Sequence, residues 1–214
     1  MIYDQNVAKQ TAKYLLQINA IKLNTKNHFQ WASGWKSPIY CDNRIALSYP
    51  EIRDYLSKTI ANQAKSLYGE ENVIAGVATG AIGIGALVAN QLNSPFIYVR
   101  PKPKKHGQKN QIEGHFDKNK NVIVIEDLIS TGMSSLNAIK ALRDNGLIVK
   151  GMIAIFTYGF KFTSNRFKFE NIQINTLCDY DFLIEQAVKE NYIPPNELDL
   201  LSSWKNNPSK WNPN

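Results

Sequence analysis

The spacing of apolar and polar residues predicts different elements in the first quarter of the chain and in the rest. Residues 6 to 21 carry apolar side chains near helical spacing behind Asp4, a residue type that caps helix starts. Residues 29 to 44 contain short aromatic runs broken by Ser-Gly and Ser-Pro, which predicts a hairpin beside the main core. Pro50 opens an amphipathic segment that continues to about Leu67, which predicts a helix.

From Asn72 onward, short apolar runs alternate with helix-like segments. Strands are predicted in VIAGVA, FIYVR, NVIVI, LIVKGMIAIFTY and NIQINTL, and helices in AIGIGALVANQL, MSSLNAIKALRDN and YDFLIEQAVKE. Gly146 is a typical helix stop. Strands that are apolar almost throughout and alternate with helices indicate a parallel sheet covered on both faces. We therefore predict an α/β fold, a twisted parallel sheet flanked by helices.

The length and composition fit one globular domain of 214 residues, with 43% hydrophobic and 11% aromatic residues. Elements at about 1–45 are predicted to form a small hood region, and the core is expected at about 50–190. The segment 191–214 contains Trp204 and Trp211 and is predicted to be an arm that docks on the body. The apolar runs are shorter than the roughly 20 residues of a membrane helix, so no membrane partner is expected.

The net charge of +7 indicates anionic partners, either nucleic acid or phosphorylated small molecules. The first ten residues lack the order of a signal peptide. The two cysteines, Cys41 and Cys178, are far apart and lack metal-ligand spacing. A reduced, cytoplasmic protein is the prediction, with Cys178 in the core.

The stretch VIVIEDLISTGMSS, residues 122 to 135, combines acids with phosphate-binding groups. Glu126 and Asp127 follow a predicted strand that ends at Ile125, and ligands of parallel sheets bind beyond such ends. The hydroxyl groups that follow belong to Ser130, Thr131 and Ser134. With the amides of a helix start and the positive φ that Gly132 permits, they form an anion cradle. Because carboxylates bind sugar hydroxyls or magnesium instead of phosphate, the pattern fits 5-phosphoribosyl 1-diphosphate.

An isolated pattern of this kind is more often a capped helix start with exposed acids, so further motifs decide the interpretation. The form EDLISTGMS resembles the diphosphate signature of type I phosphoribosyltransferases, in the variant of the orotate phosphoribosyltransferases. SGWKSPIYCDNR at 33 to 44 and VRPKPKKHGQKNQIEG at 99 to 114 are similar to two more motifs of that family, in the same order. The resemblance covers about Phe29 to Tyr158.

The resemblance implies the type I phosphoribosyltransferase fold and a glycosyltransferase of de novo pyrimidine biosynthesis. The expected substrates are orotate and 5-phosphoribosyl 1-diphosphate (PRPP), and the products are orotidine 5′-phosphate and diphosphate. It also implies Mg²⁺ as cofactor and a homodimer with shared active sites. No residue is assigned as a direct metal ligand.

The resemblance further implies roles for individual residues. The expected PRPP contacts are Arg100, Lys104, His106, Glu126, Asp127, Leu128, Ile129, Ser130, Thr131, Gly132, Met133 and Ser134. The expected catalytic residues are Lys104, His106 and Asp127, and the expected orotate contacts are Ser130 and Tyr40. Pro101 stands where many members carry lysine, which leaves Lys102 and Lys105 as alternatives for a contact across subunits. Tyr40 is equally compatible with a place in the core.

Two glycine-containing loops remain open to structural interpretations. The basic segment from Pro101 to about Asp117 is predicted to lack regular structure and to act as a lid, although solvated charge runs are common. The glycine-rich turn at 77 to 89 either offers amides to the diphosphate or lets a helix pack on a strand. His28 and His115 are expected to be structural or surface residues.

Two other functions are weighed against the orotate enzyme. A purine phosphoribosyltransferase would share the scaffold, but SPIY and KKHG resemble the orotate family. A regulator that keeps the PRPP site and binds nucleic acid would fit the positive charge. However, the cations cluster in the loop and are not laid along a helix, so no nucleic-acid partner is expected.

Overall fold

The computed structural model describes residues 2–31, 33–103 and 110–212. The helices in these ranges are α1 (Gln5–Gln17), α2 (Pro50–Tyr68), α3 (Ala81–Leu92), α4 (Met133–Asp144), α5 (Lys161–Phe169), α6 (Tyr180–Lys189) and α7 (Leu198–Asn206). The strands are β1 (Ile21–Leu23), β2 (Phe29–Gln30), β3 (Lys36–Ser37), β4 (Ile39–Cys41), β5 (Val73–Val77), β6 (Phe96–Val99), β7 (Ile112–Glu113), β8 (Asn121–Ile129), β9 (Ile148–Thr157) and β10 (Ile174–Asp179). Short 3-10 turns cover Asn43–Ser48 and Pro195–Glu197.

A six-stranded sheet in the order β10-β9-β8-β5-β6-β7 forms the centre of the fold. Its neighbouring strands are parallel, except that β7 runs antiparallel to β6. The predicted α/β class with a parallel sheet flanked by helices is therefore confirmed. Hydrophobic alternation places β8 between two cores, with Ile123 and Ile125 facing α1, α2, α3 and α6, and Val122 and Val124 facing α4 and α5.

Two predictions about secondary structure were wrong, and helix α5 was missed. The basic segment contains β7, because Ile112 is buried and pairs with Val99 at the sheet edge. Strand β8 continues past Ile125 to Ile129, because β9 stays long enough to pair with it. Helix α5 was not predicted, since KFTSNRFKF buries only Thr163 and Phe167 and shows little apolar periodicity.

The order of the strands creates a crevice at the carboxyl ends of the central strands. The chain runs from β5 through α3 to β6 on one side, and β8 then returns to the other side of β5. The loops that follow β5 and β8 leave in opposite directions at this switch point, which is where open α/β sheets bind ligands.

The amino-terminal elements lie partly on the core and partly above it. Helix α1, capped by Asp4 as predicted, packs on α6 and β10. Two small antiparallel sheets follow, in which β1 pairs with β4 and β2 with β3. The hydrogen bond from Trp204 in α7 to the Lys36 main chain ties the carboxyl-terminal segment to these sheets. Within the described ranges, no helix is both long and apolar enough to cross a bilayer.

Candidate functional site

The candidate site lies at the carboxyl ends of β5, β6 and β8. The structure places three groups of predicted residues there: the acids at the end of β8, the loop before α4, and Arg100 directly after β6. Lys104 and His106, the other predicted cations, lie outside the described residues, so their predicted roles stay predictions. The site therefore rests on the sheet edge that the sequence indicated.

Asp127 lies on the face of β8 that is turned toward α3 and the hood. Its carboxylate lies so close to the Gly80 main chain that a methyl group at position 80 would overlap it. Burial raises the pKa of the Asp127 carboxyl, and the Arg44 guanidinium opposes that shift. The glycine turn after β5 thus leaves room for this carboxylate, a role that neither interpretation of the turn had included.

Glu126 reaches toward α4, whereas Asp127 lies against the turn before α3, and the two neighbouring carboxyl groups still interact directly. Its side chain is 4% exposed. One carboxylate oxygen accepts a hydrogen bond from Ser135 Oγ at 2.8 Å and the other from the Asp127 N–H at 3.2 Å. Burial, followed by the charge of Asp127, raises the pKa of Glu126 well above its usual range. The two acids therefore differ in surroundings, which the sequence alone did not indicate.

The loop before α4 presents an uncapped helix start. Gly132 is the N-cap residue with φ of 78°, and among the residues that the structure describes no side chain caps the first turn. A Cβ at position 132 would come within 2.6 Å of the Phe167 ring, so glycine is required for space as well as for conformation. Because the first amides of a helix attract anions, this turn has the geometry of a phosphate site.

Helix α5 holds this loop from behind. Thr163 Oγ1 donates to the Ser130 carbonyl at 2.8 Å, and Arg166 Nη1 donates to the Thr131 carbonyl at 3.0 Å. These two hydrogen bonds satisfy the carbonyls of Ser130 and Thr131 and fix the backbone of the loop against α5. Sequence inspection missed both residues, since a side chain that binds a main-chain carbonyl leaves no motif.

The remaining residues of the signature take different positions. Leu128 is partly buried, and Ile129 is 1% exposed with its carbonyl accepting from the Tyr158 N–H at 3.2 Å. Met133 and Ser134 are exposed at the start of α4. Ile129 thus anchors the strand end in the core, and Met133 and Ser134 lie on the surface.

Tyr40 lies on β4 in the hood, and Arg100 lies directly after β6. Tyr40 is 42% exposed and its ring centre lies 5.8 Å from that of Phe29, so it does not belong to the core. Arg100 Nη1 donates to Glu113 Oε1 at 3.2 Å, which fixes the arginine against β7. Cys178, by contrast, is buried as predicted.

A cavity of about 1060 Å³ lies at the other edge of the sheet. Val73, Pro95 and Lys120 line it at the beginnings of β5, β6 and β8. Ligands of open parallel sheets bind at the carboxyl ends, so the size of this cavity does not make it the active site.

Replacing Glu126 with glutamine is expected to raise stability at alkaline pH. Because folding raises the pKa of Glu126, ionising it costs free energy, and stability falls as pH rises through the folded-state pKa. Glutamine keeps the shape, accepts from the Asp127 N–H and donates to Ser135 Oγ. Each 1 kcal/mol gained would raise Tm by roughly 2–4 °C.

Thermal unfolding at pH 8 and pH 5 checks this expectation. The Tm advantage of Glu126→Gln should be larger at pH 8 and should shrink toward pH 5. The matched control is Glu185→Gln on α6, where the side chain is exposed. An equal or larger advantage at pH 5 would contradict the buried, proton-binding state of Glu126.

Comparison with known proteins identifies relatives over almost the whole chain. Residues 43–156 match the phosphoribosyl transferase domain family. The chain is 48% identical over 206 residues to an orotate phosphoribosyltransferase of Cytophaga hutchinsonii, covering 96% of this chain and 99% of that one. It is 47% identical over 207 residues to an orotate phosphoribosyltransferase of Porphyromonas gingivalis, covering 97% and 99%. The crystal structure of orotate phosphoribosyltransferase from Aeropyrum pernix has a TM-score of 0.73 at 27% identity, covering 85% of this chain and 98% of that one.

Proposed function

The chain belongs to the orotate phosphoribosyltransferases of the phosphoribosyl transferase family, and we propose that it joins orotate to PRPP. The products are orotidine 5′-phosphate and diphosphate, and the sugar carbon is inverted. The observation that carries the proposal is that β8 holds the Asp127 carboxylate against Gly80 and then leads, through residues 130–132, into the uncapped start of α4. A sugar phosphate needs both groups within one crevice.

The ribose phosphate is bound at the end of β8. The first amides of α4 and the hydroxyls of Thr131 and Ser134 hold the 5′-phosphate, and Gly132 lets the main chain approach it. Asp127 accepts hydrogen bonds from the sugar hydroxyls. In the structure, Glu126 fixes the first turn of α4 through its hydrogen bond with Ser135. Glu126 contacts the sugar only if that hydrogen bond is replaced by one from a sugar hydroxyl.

The diphosphate leaves toward the basic segment. Arg100 lies at the end of β6, and the expected catalytic cations Lys104 and His106 follow it in the chain. As the bond from the sugar carbon to oxygen breaks, negative charge grows on the diphosphate and positive charge on the ribose. Fixed cations stabilise the negative diphosphate, and Asp127 stabilises the positive ribose. Both interactions are therefore strongest in the transition state.

The residues present fit magnesium as a cofactor. Mg²⁺ binds to one or two carboxylates together with substrate phosphates and water. Asp127 offers one such carboxylate, and among the residues that the structure describes no cluster of three potential ligands forms a closed metal site. Bound with PRPP, the ion would supply neutralisation of the diphosphate charge.

The base site lies between the hood and the loop before α4. Tyr40 presents a half-exposed ring, and Ser130 offers a hydroxyl next to an anchored carbonyl. Orotate is anionic, so the donors Ser130 and nearby main-chain amides suit it.

The enzyme acts as a cytoplasmic homodimer in which the basic segment reaches the partner's site through Lys102 or Lys105, and sedimentation analysis tests the dimer.

A direct assay tests the function. The protein is mixed with Mg²⁺, PRPP and orotate, and the loss of orotate absorbance is followed together with diphosphate release. Uracil and the purine bases serve as controls in separate reactions. Turnover of a purine base with no turnover of orotate would overturn the assignment.

Lys104→Ala is expected to lower kcat by roughly 10²-fold or more while ribose 5-phosphate binding changes little. The reason is that the leaving diphosphate carries its charge mainly in the transition state. Steady-state kinetics and calorimetry with ribose 5-phosphate measure the two quantities. The control is Lys118→Ala, a surface lysine outside the segment. Equal losses in turnover and binding would remove the assigned role of Lys104.

A further inference from the structure

Asn43 is a buried polar residue that the reaction described above does not use. It follows β4 at the start of a 3-10 turn, lies within the SPIYCDNR motif, and is 1% exposed. Its side chain reaches from the hood to the reactive end of β8, 84 residues further along the chain. A buried amide in such a place must have its hydrogen bonds satisfied.

Two hydrogen bonds fix the orientation of the Asn43 amide. Its Nδ2 donates to the main-chain carbonyl of Asp127 at 2.7 Å, and its Oδ1 accepts from the Cys41 thiol at 3.2 Å. A carbonyl oxygen only accepts, so the amide nitrogen must face Asp127. The thiol stays a donor, since burial raises the pKa of Cys41 well above its usual value.

The carbonyl of Asp127 needs this donor because of the sheet topology. The pairing of β5 with β8 runs from Val73–Val122 to Gly76–Ile125. Beyond that point β8 keeps β9 on one edge, while its other edge opens into the crevice. Asn43 contacts β8 at this opening, where a strand neighbour would otherwise supply an N–H.

We propose that Asn43 is a positioning residue for the transfer reaction. Its amide holds the Asp127 peptide, and with it the direction of the carboxylate that faces the ribose. Because Asn43 lies two residues beyond the strand that carries Tyr40, the same contact ties the base side of the crevice to the sugar side. This inference rests on the proposed function and adds to it a residue that touches neither substrate.

The first test compares two buried asparagines. Asn43→Ala is expected to lower kcat by about 10- to 100-fold, since small misplacements of a reacting group cost that much. The KM for orotate should stay within about threefold, because ground-state binding of the base is retained. Asn175→Ala is the control, since Asn175 is 5% exposed and donates one amide bond, to the Tyr68 hydroxyl at 3.2 Å. The Tm of Asn175→Ala should fall by about as much as that of Asn43→Ala, while the kcat of Asn175→Ala stays near that of the wild type.

A double-mutant cycle separates positioning from folding. In an Asp127→Asn background, Asn43→Ala should change kcat by less than about threefold, because the carboxylate that it aims is gone. Additive losses would overturn the inference. If the alanine variant does not fold, Asn43→Asp takes its place, because aspartate keeps the shape of the side chain. A wild-type kcat in Asn43→Asp would also overturn the inference.

The outcomes also separate this inference from the proposed function. A wild-type protein that forms no orotidine 5′-phosphate overturns both. A fully active wild-type protein with an equally active Asn43→Ala variant overturns only the role of Asn43.

Discussion

Replacing Asp127 with asparagine is expected to lower kcat by about 10²- to 10³-fold, the size of effect seen when one preorganised electrostatic group is removed. The side chain keeps its shape and its place against Gly80 but loses the charge that stabilises a positive ribose. Because that charge matters mainly in the transition state, kcat should fall more than the affinity for PRPP. Steady-state kinetics measures kcat, and calorimetry measures the affinity for PRPP.

The stability of the same variant provides an internal check. Folding raises the pKa of Asp127 because the carboxyl is largely buried, so ionising it costs stability, and this cost appears as pH rises through the folded-state pKa. Asparagine removes the cost, and the Tm at pH 8 should equal or exceed that of the wild type. An inactive variant with unchanged or higher Tm has lost chemistry and not its fold.

The control is Asp117→Asn, whose side chain is 73% exposed and lies outside the site. It should leave kcat and Tm unchanged. If Asp127→Asn kept a tenth or more of wild-type kcat, Asp127 would not be the group that faces the ribose.

Replacing Trp204 with alanine is expected to give the largest loss of stability, about 3–5 kcal/mol. Trp204 is 0% exposed, and its ring contacts those of Trp31, Tyr158, Phe160 and Tyr180 at centroid distances of 5.3–5.6 Å. Its Nε1 donates to the Lys36 carbonyl at 3.2 Å, which joins α7 to the hood. Alanine would leave a large cavity and an unpaired carbonyl.

Thermal and denaturant unfolding measure this loss, and each 1 kcal/mol corresponds to roughly 2–4 °C for a protein of this size. Trp211→Ala is the matched control, because Trp211 is only partly buried and its ring centroid lies 4.8 Å from that of His28. Its loss should be clearly smaller. Equal losses in the two variants would show that α7 does not depend on the buried position of Trp204.

The sequence predicted the long elements well and the short ones poorly. Helices α2 and α3 follow from Pro50 and from a strong apolar pattern, since local signals of that kind act within the helix itself. Strand β7 has two residues and is stabilised by pairing with β6, so it has almost no local signal. The extent of β8 was likewise decided by the length of its neighbour β9.

The site shows the same division. The motif at 126 to 134 identified the acids, the hydroxyls and Gly132 because these residues are consecutive and their spacing has a chemical meaning. It did not show that Glu126 reaches toward Ser135 in α4 while Asp127 lies against Gly80 in the turn before α3. That difference depends on which elements lie beside the end of β8.

By itself the sequence determined the class of fold, the end of the sheet where chemistry occurs and the kind of ligand, because periodicity and a contiguous motif are properties of the local chain. Tertiary structure alone decided which carboxylate is held inside, and which distant side chains hold the loop in place. Asn43, Thr163 and Arg166 bind main-chain carbonyls from other elements. Such contacts depend on how strands and helices meet in space, and a carbonyl is the same at every position of the sequence.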